Sequence, residues 1–191
     1  ASGDVMIEIG AVKIEDGVIT DRFDEFINPG FHIPDNITAL TEISDDMVSS
    51  ADTEENVTKR FLEWTGDLPM VAHNAKFDIS FIEMAMKKYN LGKFTNAVID
   101  TLELSRSLDR GFARHSLSAL VKRYNVPFDE ESHHRADYDA EGTALVFNKM
   151  ISKLENEKIY NVNELQNLVS KEELFKFGRT YHFNAIAKDR V

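Results

Sequence analysis

The sequence contains no cysteine among its 191 residues. Disulfide bonds, thiolate metal sites and cysteine nucleophiles are therefore excluded for this chain, and a bound metal ion would need oxygen or imidazole ligands. The sequence also lacks the run of about 18 apolar residues that a membrane-spanning helix requires, and its start has no signal-peptide pattern. These absences predict a cytoplasmic protein with no membrane partner.

The chain also has fewer basic than acidic residues. The chain has 22 Lys and Arg against 33 Asp and Glu, a formal net charge of −11. Such a chain is not expected to bind nucleic acid by neutralising many phosphates itself. Carboxylates are, however, what divalent cations require, so the charge is compatible with an enzyme that meets phosphates through bound cations. The length and the 42% content of hydrophobic residues indicate one folded domain with a short appendage.

The order of the β-rich and helical patterns predicts an α/β fold. Residues 5–14 and 18–28 are expected to form a hairpin around an Asp-Gly turn at residues 16 and 17. Two short apolar runs, residues 68–72 and 97–99, each lead into a helical pattern, which is typical of parallel strands in an α/β sheet. Helices are predicted for residues 52–64, 77–89, 116–124 and 134–154.

Polar residues collect where the two apolar runs end. His73 and Asn74 follow the first run, Asp78 stands in the first turn of the next helix, and Asp100 follows the second run. Functional groups in α/β sheets gather beyond the carboxyl ends of parallel strands. An acid such as Asp78 is also favoured at a helix start by the helix dipole, so its position alone leaves both interpretations open.

A second polar cluster, HHRADYD at residues 133–139, stands at the start of the longest predicted helix. By itself it can be a solvated, capped helix start. Together with Asp78 it offers carboxylates from two helices and a histidine, which suit Mg²⁺ or Mn²⁺ and the deprotonation of water. Hydrolysis of a phosphodiester needs these groups.

Two motifs in these segments resemble those of a known family. VAHNAKFD at residues 71–78 and HRADYD at residues 134–139 resemble the second and third motifs of the DEDDh exonucleases, the DnaQ-like branch of the ribonuclease-H-like fold. The resemblance implies a mixed β-sheet flanked by helices. It also implies that Asp78 and Asp139 bind two divalent cations, Mg²⁺ or Mn²⁺, and that His134 is the catalytic base that activates water.

The resemblance gives lesser roles to the neighbouring residues. Asp100, in the run VIDTL, is expected to be a structural partner that supports the site. Asn74 and Phe77 either position the substrate or serve the turn and the core. His133 and Asp137 do not fit the motif.

Three further segments give a narrower resemblance. IEIGAVKI, IDTLELSR and RTYHFNAIAKDRV are similar to the proofreading exonuclease domains of PolC-type DNA polymerase III. This implies a metal-dependent 3′→5′ exonuclease that removes nucleoside monophosphates from single-stranded or frayed DNA 3′ ends, with the rest of the polymerase polypeptide as its partner. It predicts an exonuclease domain over residues 1–155 and a connector over residues 156–191. The alternatives are a free-standing exonuclease acting on RNA or oligonucleotides, and a non-catalytic interaction module.

The family's first motif, D-x-E on the first, central strand, has no counterpart in this sequence. Residues 52–54 (DTE) have the spacing but open a polar helix and are predicted to be a surface cap, and Glu8 is predicted to occupy an ordinary strand position. Without the central strand, the hairpin and the strand ending at Ala72 would have open edges. We therefore expect that further residues precede Ala1, and that the chain alone folds poorly and is weakly active or inactive.

Overall fold

The computed structural model describes residues 5–127, 135–156 and 180–186. Its strands are β1 (Glu8–Glu15), β2 (Val18–Asn28), β3 (Asp52–Thr53), β4 (Met70–Ala72), β5 (Val98–Asp100) and β6 (Thr180–Ile186). Its helices are α1 (Asp35–Thr41), α2 (Asp45–Val48), α3 (Glu54–Thr65), α4 (Ala75–Lys88), α5 (Thr101–Leu108), α6 (Leu117–Arg123) and α7 (Ala136–Asn156). None of the described helices has the length and hydropathy of a membrane span.

The predicted hairpin is confirmed. β1 and β2 pair antiparallel, with Glu8 opposite Phe26 and Glu15 opposite Val18. The turn between them uses Asp16 at φ 50° and Gly17 at φ 82°. Both angles lie in the left-handed region, and two-residue hairpin turns favour Asp-Gly because this backbone costs glycine little.

The residues with D-x-E spacing have structural roles. The Thr53 side chain caps α3 by accepting a hydrogen bond from the Asn56 backbone N–H at 3.3 Å. The Asp52 carboxylate accepts from Arg60 at 2.8 Å, and such bonds lower the pKa of Asp52 to about 2. Asp52 and Thr53 also pair in parallel with β2, a short strand that the helix prediction had missed.

β6 lies in the middle of the six-stranded sheet, whose order is β3-β2-β1-β6-β4-β5. It runs antiparallel to β1 and parallel to β4, so that Phe183 is paired with both Val12 and Val71. This differs from the open edges expected from the sequence, because seven residues of the segment predicted to be a connector fill the gap. Backbone N–H and C=O groups that would otherwise lack partners at two edges are paired by this strand.

Helices cover both faces of the sheet. On one face, Val12 and Ile14 of β1 belong to a buried cluster with Phe147 of α7, and residues of α5 and α6 complete it. On the other face, Ile9 and Ala11 of β1 belong to a cluster with residues of α3 and α4. The alternation along β1 is the period of two that places successive strand residues on opposite faces. The mixed α/β architecture expected from the sequence is therefore confirmed.

A proline in β6 is expected to destabilise the fold, since this strand is paired on both sides. Asn184→Pro removes a backbone N–H from a central strand and leaves a partner group unsatisfied, at a cost of at least about 2 kcal/mol. Asn184→Thr keeps the N–H and suits a strand, so it serves as the control. Urea unfolding measures both, and equal stability of the two variants would contradict a central position for β6.

Candidate active site at one edge of the sheet

Two acidic helix starts lie at the same edge of the sheet. Because β6 is antiparallel to β1 and parallel to β4, β1 begins at the edge where β4 ends. α4 starts at this edge directly after β4, and α7 starts against the amino end of β1. Asp78 in the first turn of α4 and Asp139 in the first turn of α7 therefore reach the same edge from opposite faces of the sheet.

Asp78 differs from an ordinary solvated helix-cap acid because it is only 4% exposed. The residue that precedes its helix, Asn74, is exposed and has left-handed backbone angles, φ 66° and ψ 48°. The ring of Phe77 is half-buried and packs against Phe81, with 5.1 Å between ring centres. The chain thus turns sharply after β4 and directs the first turn of α4 inward.

Asp100 holds the start of α4 in place. Its carboxylate accepts hydrogen bonds from the backbone N–H groups of Asn74 and Ala75, both at 3.0 Å, and from that of Leu102 at 2.8 Å. Burial raises the pKa of Asp100, and these hydrogen bonds act in the opposite direction. Asp100 therefore joins the end of β5 to the first turns of both α4 and α5, and it fixes the backbone from which Asp78 projects.

Glu8 holds the start of α7 in a similar way. Its side chain is fully buried, and its carboxylate accepts from Arg135 Nε at 2.7 Å and from the Ala136 backbone N–H at 2.9 Å. Burial raises the pKa of Glu8, and the bonds to α7 and Arg135 oppose that effect. Arg135 also approaches Asp24 at 3.4 Å and lies over the ring of Phe26, 4.7 Å from its centre.

Glu8, which was expected to occupy an ordinary strand position, instead holds the start of α7 with a buried carboxylate. A signal was present: Glu8 shares its face of the strand with Val12 and Ile14, two residues of the buried core. A charged residue on a buried face requires a partner. The partner, Arg135, lies 127 positions away in the sequence, so only the fold could identify it.

Gly10 allows α7 to start directly against the sheet. A Cβ atom at this position would lie 2.1 Å from the backbone nitrogen of Asp137 and 2.3 Å from the carbonyl carbon of Ala136. Only glycine permits so close an approach between the backbones. Gly10 and Glu8 thus position, from the same face of β1, the helix turn that carries Asp139.

The two predicted metal ligands have the type of donor atom that a divalent cation requires. Asp78 and Asp139 offer carboxylate oxygens, the donors that Mg²⁺ and Mn²⁺ prefer. Within residues 5–127 and 135–156, no group of three or more acidic or histidine side chains is placed to hold a metal ion. β6, which fills the central position in the sheet, contains no acidic residue. The donor type fits such a cation, and the described residues supply two carboxylates. His133 and His134 lie outside the described residues.

The mixed sheet flanked by helices is the fold of the ribonuclease-H-like exonucleases. The model of the RNase_T exonuclease family matches residues 1–147. The chain belongs to this exonuclease family. Exonucleases of its DEDDh branch generally use two divalent metal ions.

Similarity to individual proteins agrees with this assignment. The PolC-type DNA polymerase III of Staphylococcus aureus is 41% identical over 187 residues, which make up 98% of this chain and 13% of the polymerase. Exonuclease X, solved in complex with 5′ overhanging duplex DNA, has a TM-score of 0.65 and 26% identity, covering 87% of this chain and 91% of that chain. The nuclease domain of 3′hExo, a DEDDh family member bound to rAMP, has a TM-score of 0.66 and 19% identity, covering 78% and 82%. The last comparison shows the shared fold.

Removing the charge of Glu8 is expected to destabilise the protein. Glu8→Gln keeps the size of the side chain but leaves Arg135 without its buried partner, at a cost of about 2 kcal/mol. Glu15→Gln makes the same change at an exposed position of the same strand and is the control. Urea unfolding gives both free energies, and an equally small effect of the two changes would show that the Glu8–Arg135 pair does not hold α7.

Proposed function

We propose that this chain is the 3′→5′ exonuclease unit of a PolC-type DNA polymerase III, which removes nucleoside monophosphates from single-stranded or frayed DNA 3′ ends. One observation carries the proposal: Asp78 and Asp139 stand on helix starts at the same edge of the sheet. A carboxylate holds each start, the half-buried Asp100 for α4 and the fully buried Glu8 for α7. A nuclease needs its ligands in a fixed arrangement, and this is what such support provides.

The polymerase context is supported by the extent of the similarity. The family match ends at residue 147, whereas identity to the Staphylococcus aureus polymerase extends over 187 residues. In the proposal, residues 1–155 form the exonuclease domain, and residues 156–191 connect it to a neighbouring polymerase domain while contributing β6 to the exonuclease sheet. The chain spans 13% of the length of that relative, and the rest of the polypeptide is proposed to deliver the DNA.

The proposed mechanism assigns a role to each site residue. Asp78 and Asp139 hold divalent cations, Mg²⁺ or Mn²⁺, and such cations would promote the ionisation of water and stabilise the charge that develops on the scissile phosphate. His134 takes the proton from the attacking water, a task suited to imidazole near neutral pH. Asn74 and Phe77 position the terminal nucleotide. The water oxygen forms a bond to phosphorus while the bond between phosphorus and the 3′ oxygen of the preceding nucleotide breaks. The 3′ oxygen takes up a proton, and a nucleoside 5′-monophosphate leaves.

The direct test is a time course on single-stranded DNA labelled at either end, with Mg²⁺ or Mn²⁺, using the chain extended by a strand that carries D-x-E. We expect the 3′ label to be released first as mononucleotide, and Asp78→Asn, Asp139→Asn and His134→Ala each to abolish the release. The same strand made of RNA tests the choice of polymer, because only contacts to the 2′ position distinguish the two. Release from the 5′ end, or activity that persists in all three variants, would contradict the proposal.

A non-catalytic interaction module is the second candidate. It is favoured by the lack of acidic residues in β6 and by the finding that the described residues contain no cluster of three metal ligands. Calorimetric titration with Mn²⁺ separates the two functions. Binding that is lost in Asp78→Asn supports the nuclease, whereas no binding at all favours the module.

A further inference from the structure

One stretch of this acidic chain is basic. Residues 106–123, with the sequence RSLDRGFARHSLSALVKR, contain five of the 22 Lys and Arg and one of the 33 Asp and Glu. We call these residues the basic segment. Its single acid, Asp109, is 4% exposed and is neutralised inside the fold by Arg123 at 2.8 Å and Lys153 at 2.7 Å. Arg106 is paired with Glu103 at 2.6 Å. Arg110 and Arg114, in contrast, are exposed, so the loop of the basic segment carries positive charge on a molecule whose net charge is −11.

An exposed aromatic ring stands in the middle of the basic segment. Phe112 is 56% exposed, the same fraction as Leu40 and less only than Val18 among the exposed large hydrophobic residues of the described chain. The guanidinium of Arg123 lies against the ring, with its central carbon 4.0 Å from the ring centre. The ring is thus backed by a cation, and the rest of its surface is open to solvent.

The loop that carries Phe112 is held at both ends. The Phe112 backbone N–H donates to the Asp109 carbonyl at 3.0 Å, and Asp109 is the buried acid described above. The His115 ring lies 2.9 Å from the Ser105 hydroxyl on one side and 2.9 Å from the Phe112 carbonyl on the other. Arg123 also donates to the carbonyl of Arg114. Phe112 is therefore presented to solvent by a fixed loop, and little ordering would be needed before a ligand could stack on it.

Two arginines flank the ring. Arg110 and Arg114 are both exposed, and neither forms an ion pair with a carboxylate among the described residues. Arg110 makes one hydrogen bond, from its Nε to the Ser107 carbonyl at 3.2 Å. Exposed guanidinium groups without a carboxylate partner can bind phosphate oxygens, and an exposed aromatic ring between them can stack on a nucleobase.

We propose that Arg110, Phe112 and Arg114 bind the single-stranded nucleic acid whose 3′ end enters the active site. The identity of the strand rests on the proposed function. The surface formed by Arg110, Phe112 and Arg114 is defined by contacts that do not involve the active site. Asp109 is bonded to Lys153, which follows Asp139 by 14 residues on α7, or about 21 Å along the helix. This surface therefore meets the strand several nucleotides before its 3′ end.

Stacking favours nucleic acid over an acidic polypeptide as the occupant. An acidic peptide would satisfy the two arginines but would give the exposed ring no planar partner. A single strand offers both, with phosphates for the arginines and a base for Phe112.

The test measures binding without cleavage. The 191-residue chain is titrated into a labelled oligothymidylate of about 20 nucleotides, in the absence of divalent cation, and anisotropy is read at several salt concentrations. Arg110→Gln with Arg114→Gln is expected to weaken binding about tenfold or more and to lower the salt slope by about 1.4, since each lost phosphate contact on a single strand contributes about 0.7. Phe112→Ala is expected to weaken binding about 5- to 100-fold with an unchanged salt slope.

Matched controls are available on other surfaces. Lys87→Gln with Lys93→Gln removes two exposed charges from the end of α4 and the loop after it, and Phe31→Ala removes another exposed ring. Both are expected to leave binding unchanged. Equal binding by all variants, or no binding by the parent chain, overturns the proposal. Polyglutamate that displaces the oligothymidylate equally well from the parent chain and from Phe112→Ala would also overturn the proposal. That result would favour an acidic protein partner.

A second readout separates this proposal from the nuclease assignment. In a form of the protein that degrades DNA, Arg110→Gln with Arg114→Gln should raise KM for the strand of about 20 nucleotides and leave the hydrolysis of a dinucleotide unchanged. An equal loss on both substrates would contradict binding at a distance from the active site. If the protein proves not to be a nuclease, the anisotropy measurement still decides whether the surface binds single strands.

Discussion

A strand carrying D-x-E, added ahead of Ala1 and taking the place of β6 between β1 and β4, is expected to raise divalent-cation-dependent nucleotide release at least about 10³-fold over the 191-residue chain. The physical reason is the number of ligands. Asp78 and Asp139 supply two carboxylates, and β6 contributes no acidic residue to the centre of the sheet. Two cations on a phosphodiester need more anionic ligands than these two aspartates provide. The measurement is the initial rate of release of a 3′-labelled nucleotide from single-stranded DNA.

The control for this experiment is the same added strand with N-x-Q in place of D-x-E. It adds the same strand without the charges, so it separates a catalytic effect from improved folding. Equal rates for the two extended proteins would refute a role for these carboxylates. If neither form releases nucleotide, the exonuclease function proposed here is wrong and the interaction module is favoured.

Replacing Gly10 by alanine is expected to destabilise the protein strongly. The new Cβ would lie 2.1 Å from the backbone nitrogen of Asp137, where no rotamer change can relieve the contact. The start of α7 must move away from β1, and the bonds from Arg135 and Ala136 to Glu8 are strained with it. We expect a loss of at least about 3 kcal/mol in urea unfolding, together with reduced metal binding because Asp139 is on the displaced turn.

Gly111→Ala is the matched control, because a Cβ there meets nothing within 4 Å and no left-handed backbone angle is involved. Its effect is expected to stay within about 0.5 kcal/mol. A Gly10→Ala protein as stable as Gly111→Ala would show that α7 does not rest directly on the strand.

Local patterns were sufficient to predict most of the elements. The Asp-Gly turn, the apolar runs before His73 and Asp100, and the polar starts of α3 and α7 each depend on residues close together in the sequence. The two motifs around Asp78 and Asp139 were also visible, because each is contained within eight residues. Such features follow from neighbouring side chains and backbone preferences, and the structure places all of them near the predicted boundaries.

The sequence by itself thus determined the hairpin, the two short parallel strands β4 and β5 with the helices that follow them, and the two acidic helix starts. Only the tertiary structure decided that β6 lies between β1 and β4, and that both acidic starts therefore stand at one edge. It also decided the partner of Glu8, which lies 127 positions away. The reason is that strand pairing and buried ion pairs depend on which backbone and side-chain groups would otherwise be left without partners in the folded chain. Which groups would lack partners depends on how the whole sheet is assembled, so a local stretch of sequence cannot reveal it.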